Sequence, residues 1–568
     1  MSGPDSQPWY SDGQRLAQEL RSLTERGYAP GEQRTEDGRL QLSAHVCHRG
    51  QPIEVQIAFA AEHPFITPTI TSSTGLLDRH QMPGEENFCL DREDAPWWRP
   101  QNTAADLLDH LQGLLDADDE GDLHEREADM PEPLTGQIGY HSDAVVIVPS
   151  ALLAPSLAED QGVLRLVRSR RNPQLLAVHS RLAGDNPDQL MTAGELRRLG
   201  LTGSIERYRV RWRAVEVPQG RAGVERAIEE LAKTLRPLVE GALVRPRRKV
   251  QRRTVWAAVT FMQEGPRRAE QERAWVFARQ VVPVRDQARE RGPALLRTQA
   301  LSRKVRVLRT RELRGLEHAR FLVVGAGSIG GYVTLELARA GAGALDIVDH
   351  DHYDLNNGVR HVLPASYAGR AKADAVAELA RACSPFTDAR GHELNVGVSA
   401  SAKLRMLALI DTADAVVDAT GSENVTRLLH WRCSEAGVPL VSGALSAGGL
   451  AGRIVILRGR SPCLDCFYDD PSIPARASAR ISGTTPHGCS HPAASCAPFE
   501  VAELSANLAR CAVRCLPRLA YPRLDFDWAV INFRRDEGRW SQGLLAARAD
   551  CPTCAEETSS GSRQPLAY

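Results

Sequence analysis

RFLVVGAGSIGGYVTLELARAGAGALDIVDHD, residues 320–351, is the stretch that decides the fold. FLVV is a short apolar run suited to a buried strand, Gly325, Gly327 and Gly330 follow it directly, and YVTLELARA repeats apolar residues at helical spacing before the second apolar run ALDIVD. Strand, glycine turn, helix, strand predicts half of a doubly wound parallel sheet. Such a turn offers backbone amides and a helix N-terminus to a phosphate. Taken alone, Gly-x-Gly-x-x-Gly is a weak signal. Asp349 closes the second strand 19 residues after Gly330, where an acid accepts hydrogen bonds from ribose hydroxyls. That arrangement suits NAD as well as ATP, so a dehydrogenase stays open at this point.

The residues downstream favour ATP. Asn357 and Arg360 stand eight and eleven positions beyond Asp349, and Lys372, one of only five lysines, follows in GRAK. Hydride transfer needs no such cations, whereas attack on the α-phosphate of ATP builds charge that fixed cations and a metal must meet. ADAVVDATGSEN then supplies Asp418 at the C-terminal end of another strand, where it can hold Mg²⁺.

With these residues in place the chain resembles the ThiF-type adenylyltransferases, which include sulfur-carrier activators and ubiquitin-activating enzymes. The resemblance runs through Ser302-Arg303, Gly325, Gly327, Gly330, Asp349, Asp351, Asn357, Arg360, Lys372 and Asp418-Ala419-Thr420. It implies a Rossmann-like adenylation domain over residues 299–556 that binds ATP and Mg²⁺. It also implies a homodimer, because the family arginine, here Arg303, crosses to the partner's ATP.

Twelve cysteines are spread unevenly, eight of them from Cys463 to Cys554. Cys463 with Cys466, and Cys551 with Cys554, form two Cys-x-x-Cys pairs that suit a tetrahedral zinc, although the 84 residues between the pairs also leave room for a redox dithiol. The resemblance implies zinc, since the family uses the same split arrangement. Cys511 and Cys515 share a helical face with Leu504 and Leu508 and read as core. Cys489 lies after His487-Gly488 in a loop rich in Gly, Ser, Thr and Pro. Family members that activate protein tags carry their thioester cysteine in this loop, which implies that role for Cys489, with Cys496 as the alternative.

The first 135 residues read differently. Residues 13–27 have helical spacing, LQLSAHVCH and IEVQIAFA alternate as paired strands, Pro64 and Pro68 predict an extended path, and Ala104–Leu115 returns to a helix. A lone cysteine in GEENFCLDREDAPWWRP, Cys89, is a structural residue in most such turns. The order of these elements, with His63-Pro64-Phe65, Pro68, Cys89-Leu90 and Trp98-Arg99-Pro100, resembles the α+β ubiquitin-conjugating fold over residues 10–120. That resemblance implies Cys89 as the acceptor thiol and Trp98 to Pro100 as a support for its loop. The family's His-Pro-Asn is absent; His80-Gln81-Met82 stands there, and Asn87 is a candidate substitute for the missing amide.

An acidic stretch up to residue 135 reads as a linker, and 136–298 as an α/β accessory domain of strand-like runs with one helix at 223–243. Its basic run at 245–253 reads as a solvated face. The last residues, 557–568, are too few and too polar to pack. At 568 residues the chain exceeds one core, and its net charge of -1 argues against nucleic acid or an anionic membrane as partner. No apolar run approaches ~20 residues and no signal peptide is recognisable, so a cytoplasmic protein is expected. A fused activating and conjugating chain of this order resembles the bacterial ligase of CBASS antiphage operons, which joins a CD-NTase cyclase to targets. The resemblance implies a glycine-terminated donor, either such a cyclase or a ubiquitin-like protein, and an acceptor amine. A sulfur-carrier adenylyltransferase is the alternative; a non-catalytic scaffold and an NAD oxidoreductase are the further rivals.

Overall fold

A computed structural model describes residues 8–11, 13–36, 39–77, 79–82, 86–90, 98–120, 133–140, 144–183, 186–244, 252–265, 270–283, 293–302, 312–445, 451–473, 496–533 and 539–554. They form two compact units, one of residues 1–196 and 201–301 and one of 302–568 with 197–200.

In the first unit, helix α1 (Gly13–Glu25) precedes strands β1 (Gln33–Glu36), β2 (Arg39–His48), β3 (Gln51–Ala58) and β4 (Thr69–Thr71), and helix α2 (Ala104–Asp119) follows them. The four strands pair in sequence order. Arg49 and Gly50 join β2 to β3 with both φ angles positive, 51° and 71°, the geometry that matches the twist of a two-residue hairpin. Alternation puts Leu40, Leu42, Val55 and Ile57 on one face, against Leu107, Leu108, Leu111 and Leu115 of α2. The expected extended path after β3 begins instead as a turn over residues 61–65. The amides of Phe65 and Ile66 both donate to the Glu62 carbonyl, and the extended path starts only at β4.

Strands β5 (Val145–Pro149), β6 (Gln161–Ser169), β7 (Leu175–Ala183), β8 (Asn186–Gln189), β9 (Ile205–Ala214), β10 (Arg252–Glu264), β11 (Gln271–Pro283) and β12 (Ala294–Leu301) follow, with helix α3 (Arg221–Val244) between β9 and β10. Their order is 5-12-11-10-9-6-7-8, and β5 also pairs with β7, so seven strands close on themselves. Closure removes the sheet edges. Inside sit Trp212, Trp256, Trp275 and Phe277, while Ala257, Val259, Phe261 and Val276 point outward beneath Val224, Leu231 and Leu235 of α3. β9 had gone unread in the sequence. Its arginines alternate with buried Val210 and Trp212, which is the pattern of a half-buried strand.

The second unit runs β13 (Arg320–Val324), α4 (Ser328–Ala340), β14 (Ala344–Asp349), α5 (Lys372–Cys383), β15 (Asp388–Glu393), α6 (Ala400–Thr412), β16 (Ala415–Asp418), α7 (Glu423–Ala436), β17 (Leu440–Leu445), β18 (Ala451–Leu457), α8 (Leu464–Tyr468), α9 (Pro498–Arg514), β19 (Trp528–Asn532) and β20 (Trp540–Gly543). The sheet order is 15-14-13-16-17-18-19-20, with β13 to β17 parallel and β17 to β20 antiparallel. Helices α4, α5 and α9 cover one face, and α6 and α7 the other. Strand order reverses between β13 and β16, and an open parallel sheet of this kind binds ligands beyond the carboxyl ends of those strands. No described helix is long and apolar enough to cross a membrane.

Candidate active site

At that reversal Val324 is in register with Asp418, so the glycine turn and the strand-end acid are neighbours. Gly325 has φ +92°, and a Cβ there would lie 2.8 Å from the Ala419 carbonyl. A Cβ on Gly330 would lie 1.7 Å from the Gly325 oxygen. Both positions are forced by the chain's own packing. Gly327 is different: it caps α4 at its N-terminus, and a Cβ there would meet nothing within 4 Å. This glycine keeps open the space above the helix N-terminus, where amides and the helix dipole favour an anion.

Ala326, between those glycines, is held from both sides. Asp349 Oδ2 accepts its N–H at 2.7 Å, and Asp349 Oδ1 accepts the Asp351 N–H at 2.8 Å. The Ala326 carbonyl accepts a 2.8 Å hydrogen bond from His361 Nε2, while His361 Nδ1 accepts from the Leu363 N–H at 3.1 Å. Those partners define the neutral tautomer, and burial pushes the His361 pKa below its ordinary value. Sequence reading missed His361 because it lies outside every motif used, 35 residues from the peptide it holds.

Lys372 opens α5 and is buried; its Nζ meets Asp351 Oδ2 at 2.9 Å. Burial alone would raise the Asp351 pKa, but the Lys372 hydrogen bond and charge bring it below the ordinary carboxylate value. Asn357 and Arg360 lie at the end of a short turn over 355–359, and the Arg360 amide donates to the Asn357 carbonyl. Ligand atoms of Asp349, His350 and Asp351 lie within 4.8 Å of one another. Asp418 is 1% exposed. Its Oδ1 accepts from the Thr420 amide at 3.0 Å and hydroxyl at 2.7 Å, and its Oδ2 from the hydroxyls of Thr426 at 2.5 Å and Ser442 at 2.9 Å. A divalent cation at Asp418 would replace a hydroxyl partner, and an all-oxygen donor set of this kind suits Mg²⁺.

The two Cys-x-x-Cys pairs meet in space. Cys463, Cys466, Cys551 and Cys554 are all buried, with sulfur separations of 3.6 Å for 463–551, 3.4 Å for 466–554 and 4.0 Å for 463–466. Four thiolates at ~2.3 Å from a tetrahedral zinc stand about 3.8 Å apart, so the donor set fits that ion. Asp465 accepts from Arg427 and Thr553, tying the first knuckle to α7 and to the second.

In the first unit Cys89 is exposed and its amide donates to the His80 carbonyl at 2.7 Å. Phe88, buried beside it, anchors the segment through its N–H to the Ile70 carbonyl at 2.9 Å. Trp98 Nε1 donates to the Pro64 carbonyl at 2.8 Å, and the Pro100 carbonyl accepts from Arg15. Gln81 is buried, accepting from the amides of Leu76 and Leu77 and donating to the Thr74 carbonyl. Its amide therefore serves the backbone. Asn87 Oδ1 is buried with no hydrogen-bond partner among the described residues.

Arg303 and Cys489 lie outside the described residues. Cys496, the alternative nucleophile, is half-buried just before α9, and its thiol donates to Glu500 Oε2 at 3.2 Å. Cys511 packs in the core, and burial pushes its pKa up to about 12.

Residues 301–509 match the ThiF family, so this segment is a ThiF-family domain within the longer chain. Over 545 residues the chain is 25% identical to the y4oA protein of Sinorhizobium fredii, covering 89% of this chain and 90% of that one. It is 33% identical over 171 residues to "adenylyltransferase and sulfurtransferase MOCS3-2" of Zea mays, which covers 30% of this chain and 34% of the maize protein. The chain thus spans about a third of that relative's length. Among solved structures, MccB of E. coli with MccA-N7isoASN aligns over 44% of this chain and 70% of its own, at 16% identity and a TM-score of 0.35.

Proposed function

We propose that the chain activates the C-terminal glycine of a protein donor with ATP and passes the acyl group through two thiols to an amine. The observation that carries this reading is the continuous contact from Asp418 and Thr420 through Gly325, Ala326 and Asp349 to the Asp351–Lys372 pair, around a helix N-terminus kept open at Gly327. A phosphate in that opening meets backbone amides, and Lys372, Arg360 and the partner protomer's copy of Arg303 add positive charge as the α-phosphate is attacked. Mg²⁺ at Asp418 supplies further charge neutralisation when bound.

A carboxylate oxygen of the donor forms a bond to the α-phosphorus and pyrophosphate leaves. The thiolate of Cys489, with Cys496 as the alternative, then attacks the acyl carbon and AMP leaves. Cys89 takes the acyl group as the first thiolate is released, and an amine finally displaces Cys89, forming an amide and freeing the thiol. The α+β segment around Cys89 serves as a ubiquitin-conjugating-like domain, zinc at the four cysteines holds residues 551–554 to α8, and the assembly is a homodimer. The donor is a CD-NTase cyclase of an antiphage (CBASS) operon or a ubiquitin-like protein.

Donor-dependent exchange between pyrophosphate and ATP tests the first half. Asp418→Ala should abolish it, by a hundredfold or about a thousandfold. Cys89→Ser should keep that exchange and a DTT-labile adduct on residues 302–568 yet form no amide. Undiminished conjugation by Cys89→Ser would overturn Cys89 as the acceptor thiol, whereas donor-dependent exchange with no amide formed even by the wild type would favour a sulfur-carrier adenylyltransferase, the second reading, which the name of the maize relative supports.

A further inference from the structure

Cys89 lies in a short extended segment that the first unit holds from a distance. Asn87 bridges to Thr71 and Phe88 to Gln81, so residues 86–89 lie between 70–72 and 80–82. The Ser72 amide donates to the Glu86 carbonyl at 3.0 Å, and the Glu86 amide to the Met82 carbonyl at 2.8 Å. Glu86 enters this segment with φ +56°, a conformation that L residues adopt only when their surroundings enforce it. Its carboxylate is gripped by a residue 135 positions away. Arg221, the first residue of α3, forms a two-pronged pair with Glu86: Nη1 to Oε2 at 2.9 Å and Nη2 to Oε1 at 2.8 Å. The guanidinium lies so close over Gly75 that a Cβ there would be 2.4 Å from Nη1.

A second link runs in parallel. Arg79, beside the His80 whose carbonyl receives the Cys89 amide, pairs with Glu264 at the end of β10 at 3.2 Å, with both side chains buried. Exposed ion pairs contribute little, but a planar two-point pair fixes orientation as well as distance. Arg221 and Glu86 are 23% and 29% exposed at their side chains, and the pair is further confined by Gly75.

We infer that Arg221 is a positioning residue for the Cys89 thiol: through Glu86 it sets the extended segment that presents Cys89, and so couples the seven-stranded barrel and α3 to acyl transfer. The inference rests on Cys89 being the acceptor thiol of the proposed function. It gives the barrel a task at the transfer step.

The test compares the full-length wild type with Arg221→Ala, Arg221→Lys, Glu86→Gln and the reversed pair Arg221→Glu with Glu86→Arg. Hydrogen exchange of residues 86–90, which needs no activity, should speed up about tenfold in Arg221→Ala, with barrel peptides unchanged. Transfer to Cys89 should fall about tenfold in kcat with KM for the charged donor unchanged, and Arg221→Lys or the reversed pair should recover part of it. Glu86→Gln keeps the size and removes the charge, so it answers the question even where Arg221→Ala fails to fold. Unchanged exchange at 86–90 in a folded Glu86→Gln or Arg221→Ala would overturn the inference. A wild type that never carries an acyl group on Cys89 would instead sink the proposed function, while the exchange measurement would still decide whether Arg221 positions this segment.

Discussion

The glycine cradle and the Cys89 segment present chemistry by opposite means. In the cradle, residues 325–331 are held by Asp349 and His361, which lie within 36 positions, and by β16 in register; every constraint is a backbone contact or a hydrogen bond to backbone. Around Cys89 the backbone ladder is only a few bonds long, and the groups that reach the segment from far along the chain are charged side chains, Arg221 and Glu264. A backbone-built site tolerates almost no added volume, whereas a site built from long-range ion pairs tolerates volume and fails with charge or register. Under the proposed function, the comparison also separates the site for a nucleotide from the site for an acyl group.

Substitutions can break that comparison. The largest effect is expected from Gly330→Ala, whose Cβ would sit 1.7 Å from a backbone oxygen: chemical denaturation should show a loss of more than about 3 kcal/mol. Next comes Cys466→Ser. Equilibrium dialysis should find one zinc per chain in the wild type and none in this variant, and the second unit should lose on the order of 5 kcal/mol, with a chelator acting on the wild type in the same direction. Gly327→Ala, three residues before Gly330, sharpens the contrast. With nothing within 4 Å of its Cβ, it should leave stability within about 1 kcal/mol while weakening ATP binding roughly tenfold or more by calorimetry.

The smallest effect concerns His361. Its folded pKa lies below the ordinary 6.5, so below that pH the unfolded chain takes up a proton that the folded chain resists. Stability from this group is therefore complete above pH 6.5 and declines as pH falls towards the folded value. His361→Gln should remove that share of the acid sensitivity, seen as a smaller fall in unfolding free energy as pH drops from 7 to 5.

How much was readable follows from the same contrast. Gly325, Gly327, Gly330, Asp349, Lys372 and Asp418 were legible because strand, turn and helix periodicities frame them within a hundred residues. The two cysteine pairs were legible by their own spacing, though only folding shows that their sulfurs come within 4.8 Å. Helices α1, α2 and α3 and most barrel strands could be read from apolar spacing. Closure of the barrel could not, because pairing β5 with β12 joins residues more than a hundred positions apart while β7 must meet β5 as well as β6. His361 and Gln81 were passed over for a related reason: neither polar side chain reveals in sequence which backbone groups it satisfies.

The sequence by itself determined the doubly wound architecture of residues 320–418, the identity of its glycines and charges, and the four-cysteine set. These follow from local periodicity and backbone sterics, which act over a few residues at a time. Tertiary structure alone decided that Ala326 is gripped from both sides, that seven strands close into a barrel, and that Glu86 is held by Arg221. Those outcomes depend on which distant groups are brought within hydrogen-bond range, and no short window of sequence contains both partners.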